Sequence, residues 1–203
     1  MAGDARDLAD SLGWALRPMA PARPRRARSR VHTALGSSWL PAWFLSALAP
    51  ALERGLRVYW IDAGNRFDAY GLGRAARDLG ADPRRALARV RLARPFNVFQ
   101  LETILRRKLP AAWRGEPVVL SDPLAPFLDE DLPRAQVRRM LPRVLGCLGR
   151  LPALWMVLAV ERKAPKERAC VLDSLIRRSD RLLRLAEEEV PPRLRTMARI
   201  IGR

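Results

Sequence analysis

The stretch VYWIDAGNRFDAYGLGRAARDLGADPRRALARVRLARPFNVFQLETIL, running from Val58 to Leu105, decides the fold of this chain. Val58–Asp62 is a short run of β-branched and aromatic residues bounded by a turn, the composition of a strand. Tyr70–Leu79 has helical spacing and is stopped by Gly80. Val90–Ala93 repeats the strand pattern, and Phe99–Leu109 sets Leu101, Ile104 and Leu105 on one helical face. Strand, turn and helix in this order, twice over, make βαβ units whose strands lie parallel in one sheet.

The same alternation continues on both sides. Downstream, Val118–Ser121 reads as a buried strand ending at Asp122. Arg134–Leu151 reads as a helix through its stripe of Val137, Met140, Leu141, Val144, Leu145 and Leu148, with a kink expected at Pro142. Leu154–Val160 is apolar throughout, as in the middle of a parallel sheet. Pro165–Arg178 reads as a helix and Arg181–Leu185 as a closing strand. Upstream, Pro41 stands near the first position of an apolar helix, Ala42–Glu53, that stops before Gly55. The expected fold is α/β, a mostly parallel sheet flanked by helices in three layers, spanning residues 31–186.

Residues 1–30 precede this core as a short amphipathic helix (5–17) and an arm, PMAPARPRRARSR, whose prolines remove backbone donors and whose charges repel. Arg25, Arg26 and Arg28 in this arm either follow a phosphate backbone or belong to a solvated tether. Residues 187–203 form a basic amphipathic tail that either packs back on the body or docks on a partner or on phosphates.

The chain has 203 residues with a formal net charge of +17, nearly all of its positive charge from arginine, and 49% hydrophobic residues. That hydrophobic share argues against a disordered chain, and the surplus charge attracts polyanions, nucleic acid first among them. Cys147 and Cys170 lie in apolar-periodic segments and read as buried thiols in a reducing cytosol. His32 is the single histidine and no CxxC occurs, which excludes the usual zinc patterns. The polar start MAGDARDLAD is unlike a signal peptide, and no apolar run is long enough to cross a bilayer, so the expectation is a soluble cytoplasmic protein.

The element order, together with IDAGNRF, the phrase LGADPRRALARVRLARPFNVFQLETIL and VVLSDPLAPFL, resembles the core of RecA/Rad51-type recombinases from about Ala34 to Leu185. The resemblance is strongest at RLARPFN, which follows LGADPRR much as an ARAFN-type phrase follows a Y-G-L-D-P-E turn in that family. It implies a RecA-like core and a nucleotide site after the first strand, at VHTALGSSW. A phosphate-binding loop needs GxxxxGK[ST], because glycines let backbone N–H groups approach phosphates, lysine neutralises charge and the hydroxyl binds magnesium. Gly36 and Ser38 match the second glycine and the hydroxyl, whereas Val31 stands for the first glycine and Ser37 for the lysine.

The resemblance also implies a water-positioning glutamate after Ile61-Asp62, where Gly64 stands, and a magnesium carboxylate, for which Asp122 remains. An aspartate before a proline is equally an ordinary turn former. With lysine, one glycine and glutamate gone, most of the positioning and charge stabilisation of phosphoryl transfer is gone as well. The expectation is a degenerate nucleotide site (Gly36, Ser37, Ser38, Asp122), no catalytic residues and no resident cofactor or metal, weak ATP–magnesium binding being left open.

In recombinase cores two loops meet DNA. The first corresponds to the acidic Leu124–Asp131, a poor phosphate binder. The second corresponds to ERKAPKER, where Arg162, Lys163, Lys166 and Arg168 either contact phosphates or form a solvated turn. Of the tryptophans, Trp39 and Trp43 are expected to fill the space of a lost nucleotide rather than stack on bases. The functional expectation is a non-catalytic RecA/Rad51-like accessory protein in DNA repair or recombination. It would bind DNA, single-stranded more than double-stranded, and a partner recombinase or repair-polymerase complex. Two alternatives stand beside it: an unconventional ATPase in which Asp122 and Ser38 share magnesium, and a basic protein-interaction module facing an acidic partner.

Overall fold

Seven consecutive apolar residues, Leu154–Val160, form strand β5, and all but the first are buried. A strand with no polar side must be covered on both faces. The computed structural model describes residues 30–162 and 170–185 and supplies that cover. The arm residues Arg25, Arg26 and Arg28, the loop residues Lys163, Lys166 and Arg168, the segment 5–17 and the tail 187–203 lie outside the described residues.

In chain order the elements are β1 (Arg30–Gly36), α1 (Leu40–Ala47), α2 (Ala49–Glu53), β2 (Val58–Asp62), α3 (Ala69–Asp78), α4 (Pro83–Ala88), β3 (Val90–Ala93) and α5 (Val98–Thr103). A π-helical turn (Ile104–Lys108), α6 (Leu109–Ala112), β4 (Val118–Ser121), a 3-10 turn (Ala125–Phe127), α7 (Arg134–Leu145), β5, α8 (Cys170–Ile176) and β6 (Arg181–Arg184) follow. The six strands form one sheet in the order β3-β2-β4-β5-β1-β6. Every pairing is parallel, as βαβ units require.

Alternation along the strands divides the core in two. Trp60, Val119, Met156, Leu158 and Ala34 face one side and pack under α1–α4, with Phe44, Leu45 and Leu72 above them. Ile61, Leu120, Val157, Trp155 and Leu35 face the other side, under α5–α8, with Leu101, Val144 and Leu175. The architecture is a three-layer α/β/α sandwich. Trp60 and Trp155 are fully buried, and burial of such side chains contributes about 1.5–3 kcal/mol or more each.

Several expectations need correction. The helix read as Ala42–Glu53 is two helices broken at Leu48, because Pro50 has no N–H to continue the first. The LGADPRR turn contains a helix, α4, whose cap Asp82 accepts from Arg84 N at 2.9 Å with Pro83 at its first position. The helix read as Arg134–Leu151 ends at Leu145, short of Gly146, although Pro142 is accommodated inside it. Phe99–Leu109 is part of a longer helical run with a π turn, where Leu109 N bonds Ile104 O. Pro110 explains that turn: it has no N–H for the Arg106 carbonyl, and widening the preceding turn relieves the clash. Cys147 is buried, but Cys170 is exposed at the start of α8, whose core side is taken by Val171 and Leu175. His32 is buried within β1, a packing position.

Candidate functional site at the carboxyl edge of the sheet

Because all strands are parallel, their carboxyl ends open on one edge. Strands β2 and β4 are neighbours there, with Asp62 opposite Ser121. The chain leaves β2 toward α3 on one face and β4 toward α7 on the other. Loops that part in this way leave a crevice, the usual ligand position of open parallel sheets.

Two aspartates stand in that crevice, and both are fully buried. Asp62 closes β2 and organises the loop after it. Its Oδ1 accepts from Arg66 N at 2.8 Å and its Oδ2 from Phe67 N at 3.0 Å. Arg94, just past β3, adds Nε at 3.2 Å from Oδ2. Asn65 turns the loop with a left-handed φ of 54°, a conformation asparagine tolerates.

Asp122 follows β4 with φ at 49°, and its N–H donates to Leu158 O at 2.7 Å. Arg162, at the end of β5, pairs directly with Oδ2, and Arg66 Nε lies 3.5 Å from the same oxygen. The Oδ1 oxygen is buried without a hydrogen-bond partner. Burial pushes the Asp122 carboxyl above its ordinary range, and the guanidinium charges of Arg162 and Arg66 oppose that rise without reversing it.

Three guanidiniums thus surround two carboxylates. The carboxylates are hidden, while the side chains of Arg66, Arg162 and Arg94 remain 28%, 31% and 39% exposed. What the crevice offers to solvent is therefore positive. An anion is attracted, and a metal cation would have to displace two arginines to reach Asp122.

The nucleotide and magnesium implied by the resemblance do not fit these residues. VHTALG is the strand β1 itself, so Val31 is an extended sheet residue rather than part of a phosphate loop. Only Ser37 and Ser38 separate β1 from Trp39, the cap of α1, and Pro41 removes an N–H from that helix's first turn. Gly64 lies against Asp122 so closely that no glutamate side chain has room there. Trp39 and Trp43 are buried, edge to face at 5.9 Å, within the core under α1. Neither is available for stacking on a base.

The structure therefore brings Asp122 and Arg162 together, with Gly36, Ser37 and Ser38 two strands away on the same edge. Arg162 faces inward to a carboxylate rather than outward as a free phosphate contact. Leu124 and Phe127, from the expected acidic DNA loop, are buried in the core, while Asp129, Glu130 and Asp131 stay exposed. Sequence reading missed Asp62, Arg66 and Arg94. The signal was an aspartate closing a strand before Gly-Asn, with an arginine four residues on.

Among the described residues no helix is long and apolar enough to cross a membrane, and no group of three His, Cys, Asp or Glu side chains is placed to hold a metal. No protein-family model matches the chain, and comparison with curated proteins gives no match either.

Proposed function

We propose that the chain is a non-catalytic RecA/Rad51-like accessory protein of DNA repair or recombination. In this reading it acts in the cytoplasm, binds single-stranded DNA in preference to duplex, and works beside a partner recombinase or repair-polymerase complex. The observation that carries the reading is the double arginine pairing of Asp122. The carboxylate that a RecA-type ATPase would give to magnesium is neutralised from within, and the neighbouring position has room only for Gly64. The net charge of +17 supports a polyanionic ligand, and the guanidiniums of the crevice, about a third exposed, support the same sign of partner.

The test is fluorescence anisotropy of a labelled oligothymidylate across a salt series, with and without ATP–magnesium, alongside phosphate release. Binding that weakens steeply with salt, ignores ATP and releases no phosphate is the expected result. Binding that requires ATP, or hydrolysis abolished by Asp122→Ala, would establish an unconventional ATPase instead. No binding even at low salt would make the chain a protein-interaction module.

A further inference from the structure

The helical layer formed by α5–α8 is far more basic than the layer opposite. Residues 98–114, 134–150 and 170–178 together hold eleven Lys and Arg and two acidic residues, Glu102 and Asp173. On the other layer, residues 40–57 and 69–89 hold seven Arg and three acidic residues, Glu53, Asp78 and Asp82. Taken singly, each arginine run is an ordinary solvated helix face. The fold brings two of them together.

Glu102 is the junction. It is buried between α5 and α7, and its Oε1 forms ion pairs with Arg106 Nε at 3.2 Å and Arg143 Nη2 at 3.1 Å, neither with hydrogen-bond geometry. One carboxylate thus fixes two guanidiniums, one from the π turn and one from α7, leaving an excess positive charge at that point. Both arginine side chains keep more than a third of their surface in solvent. Arg139 lies one helical turn before Arg143, about 6 Å along the axis, and Arg150, beyond the end of the helix, lies near Cys147 as Arg143 and Arg106 do. Arg139 and Arg150 are exposed and have no carboxylate partner among the described residues. Phe99 is 47% exposed, and helical spacing sets it on the same side of α5 as Glu102.

We infer that the groove between the α5–π segment and α7 is a track for single-stranded nucleic acid. The arginine row Arg139–Arg143–Arg150, with Arg106 opposite, meets successive phosphates, and Phe99 offers a face on which a base stacks. The inference deepens the DNA-binding reading and rests on it, but it moves the main contact away from the carboxyl edge and from the loop beginning at Glu161. Nucleic acid suits this surface better than an acidic protein because an exposed aromatic residue stands one helical turn from Glu102, the carboxylate that pairs with Arg106 and Arg143.

The test compares the full chain with R139Q/R150Q, with F99A, and with R84Q/R85Q as an equal loss of charge on the opposite layer, each first checked for an unchanged melting temperature. With labelled oligothymidylate, R139Q/R150Q is expected to lose affinity by about tenfold and its log–log salt slope by about 1.4, the share of two single-strand phosphates. R84Q/R85Q should change little, and F99A should weaken the oligothymidylate more than a duplex. Equal losses in both double variants would overturn the track in favour of bulk charge. Unchanged binding by R139Q/R150Q would overturn it while leaving the DNA-binding reading intact. A polyglutamate peptide that competes as well as oligothymidylate would overturn it in favour of an acidic protein partner. Failure of the unaltered chain to bind would end both the track and the DNA-binding reading.

Discussion

A Cβ placed on Gly64 would lie 2.6 Å from the Cβ of Asp122, closer than side-chain atoms pack. Gly64 is thus fixed by the aspartate that follows β4, two strand ends meeting across the crevice. Gly64→Ala is expected to destabilise the protein by about 1–3 kcal/mol, the usual penalty for overpacking. Asp122→Gly removes the obstructing side chain and suits the left-handed φ of 49° at that position. In the double variant the Gly64→Ala penalty should therefore shrink by at least about 0.5 kcal/mol, read from urea unfolding in a double-mutant cycle. Additive penalties would mean that the two residues do not contact in solution.

The buried charge on Asp122 predicts a particular pH dependence. Burial raises its carboxyl above the unfolded value, so the folded state holds the proton more tightly than the unfolded state. Its contribution to stability is full below the unfolded value, near pH 4, and is lost as pH rises through the folded value. Asp122→Asn, always neutral, should match the parent in acid and equal or exceed it at neutral pH. Urea midpoints of the two proteins at both pH values decide the matter. An asparagine variant much weaker at neutral pH would mean that pairing with Arg162 and Arg66 outweighs desolvation.

Much of the fold was legible because its strands are short apolar runs with clear ends. Val58–Asp62, Val90–Ala93, Val118–Ser121 and Leu154–Val160 form as read, and so does the three-layer arrangement they imply. The errors cluster at prolines. Pro50, Pro83 and Pro110 respectively split, started and widened helices, and periodicity does not reveal which of these a proline will do. The site was legible only in part. Asp122 stood out because it closes an apolar strand, but its partners Arg66 and Arg162 lie 56 and 40 residues away in sequence. Only the parallel sheet, by gathering strand ends on one edge, brings them together.

The two thiols give a quick check of packing. Cys147 is buried, donates its S–H to Arg143 O at 3.2 Å, and has its pKa pushed up chiefly by burial. Cys170 is exposed at the start of α8. Titration of the native protein with a thiol reagent at neutral pH should modify Cys170 promptly and leave Cys147 protected, with both reacting in denaturant. Two fast thiols in the native state would contradict the packing of α7 against α5.

Asp180 is the clearest case of one side chain holding two strands in register. Its Oδ2 accepts from Val31 N at 2.6 Å while its own N–H donates to Val31 O at 2.7 Å, just before β6 pairs with β1. Thr33 and Ser179 add a hydroxyl contact of 2.6 Å beside it. β6 is an edge strand of four residues, three of them exposed, so little apolar burial holds it in place. Asp180→Ala leaves the Val31 N–H without its acceptor and should cost about 1.5–3 kcal/mol, the range for a hydrogen bond to a charged group. Asp180→Asn keeps the acceptor and should recover most of that loss. Hydrogen exchange locates the effect: β1 and β6 amides should lose protection in Asp180→Ala while those of β2 and β4 keep theirs. If β2 and β4 lost protection equally, the sheet would open as one unit and Asp180 would be a global rather than a local clamp.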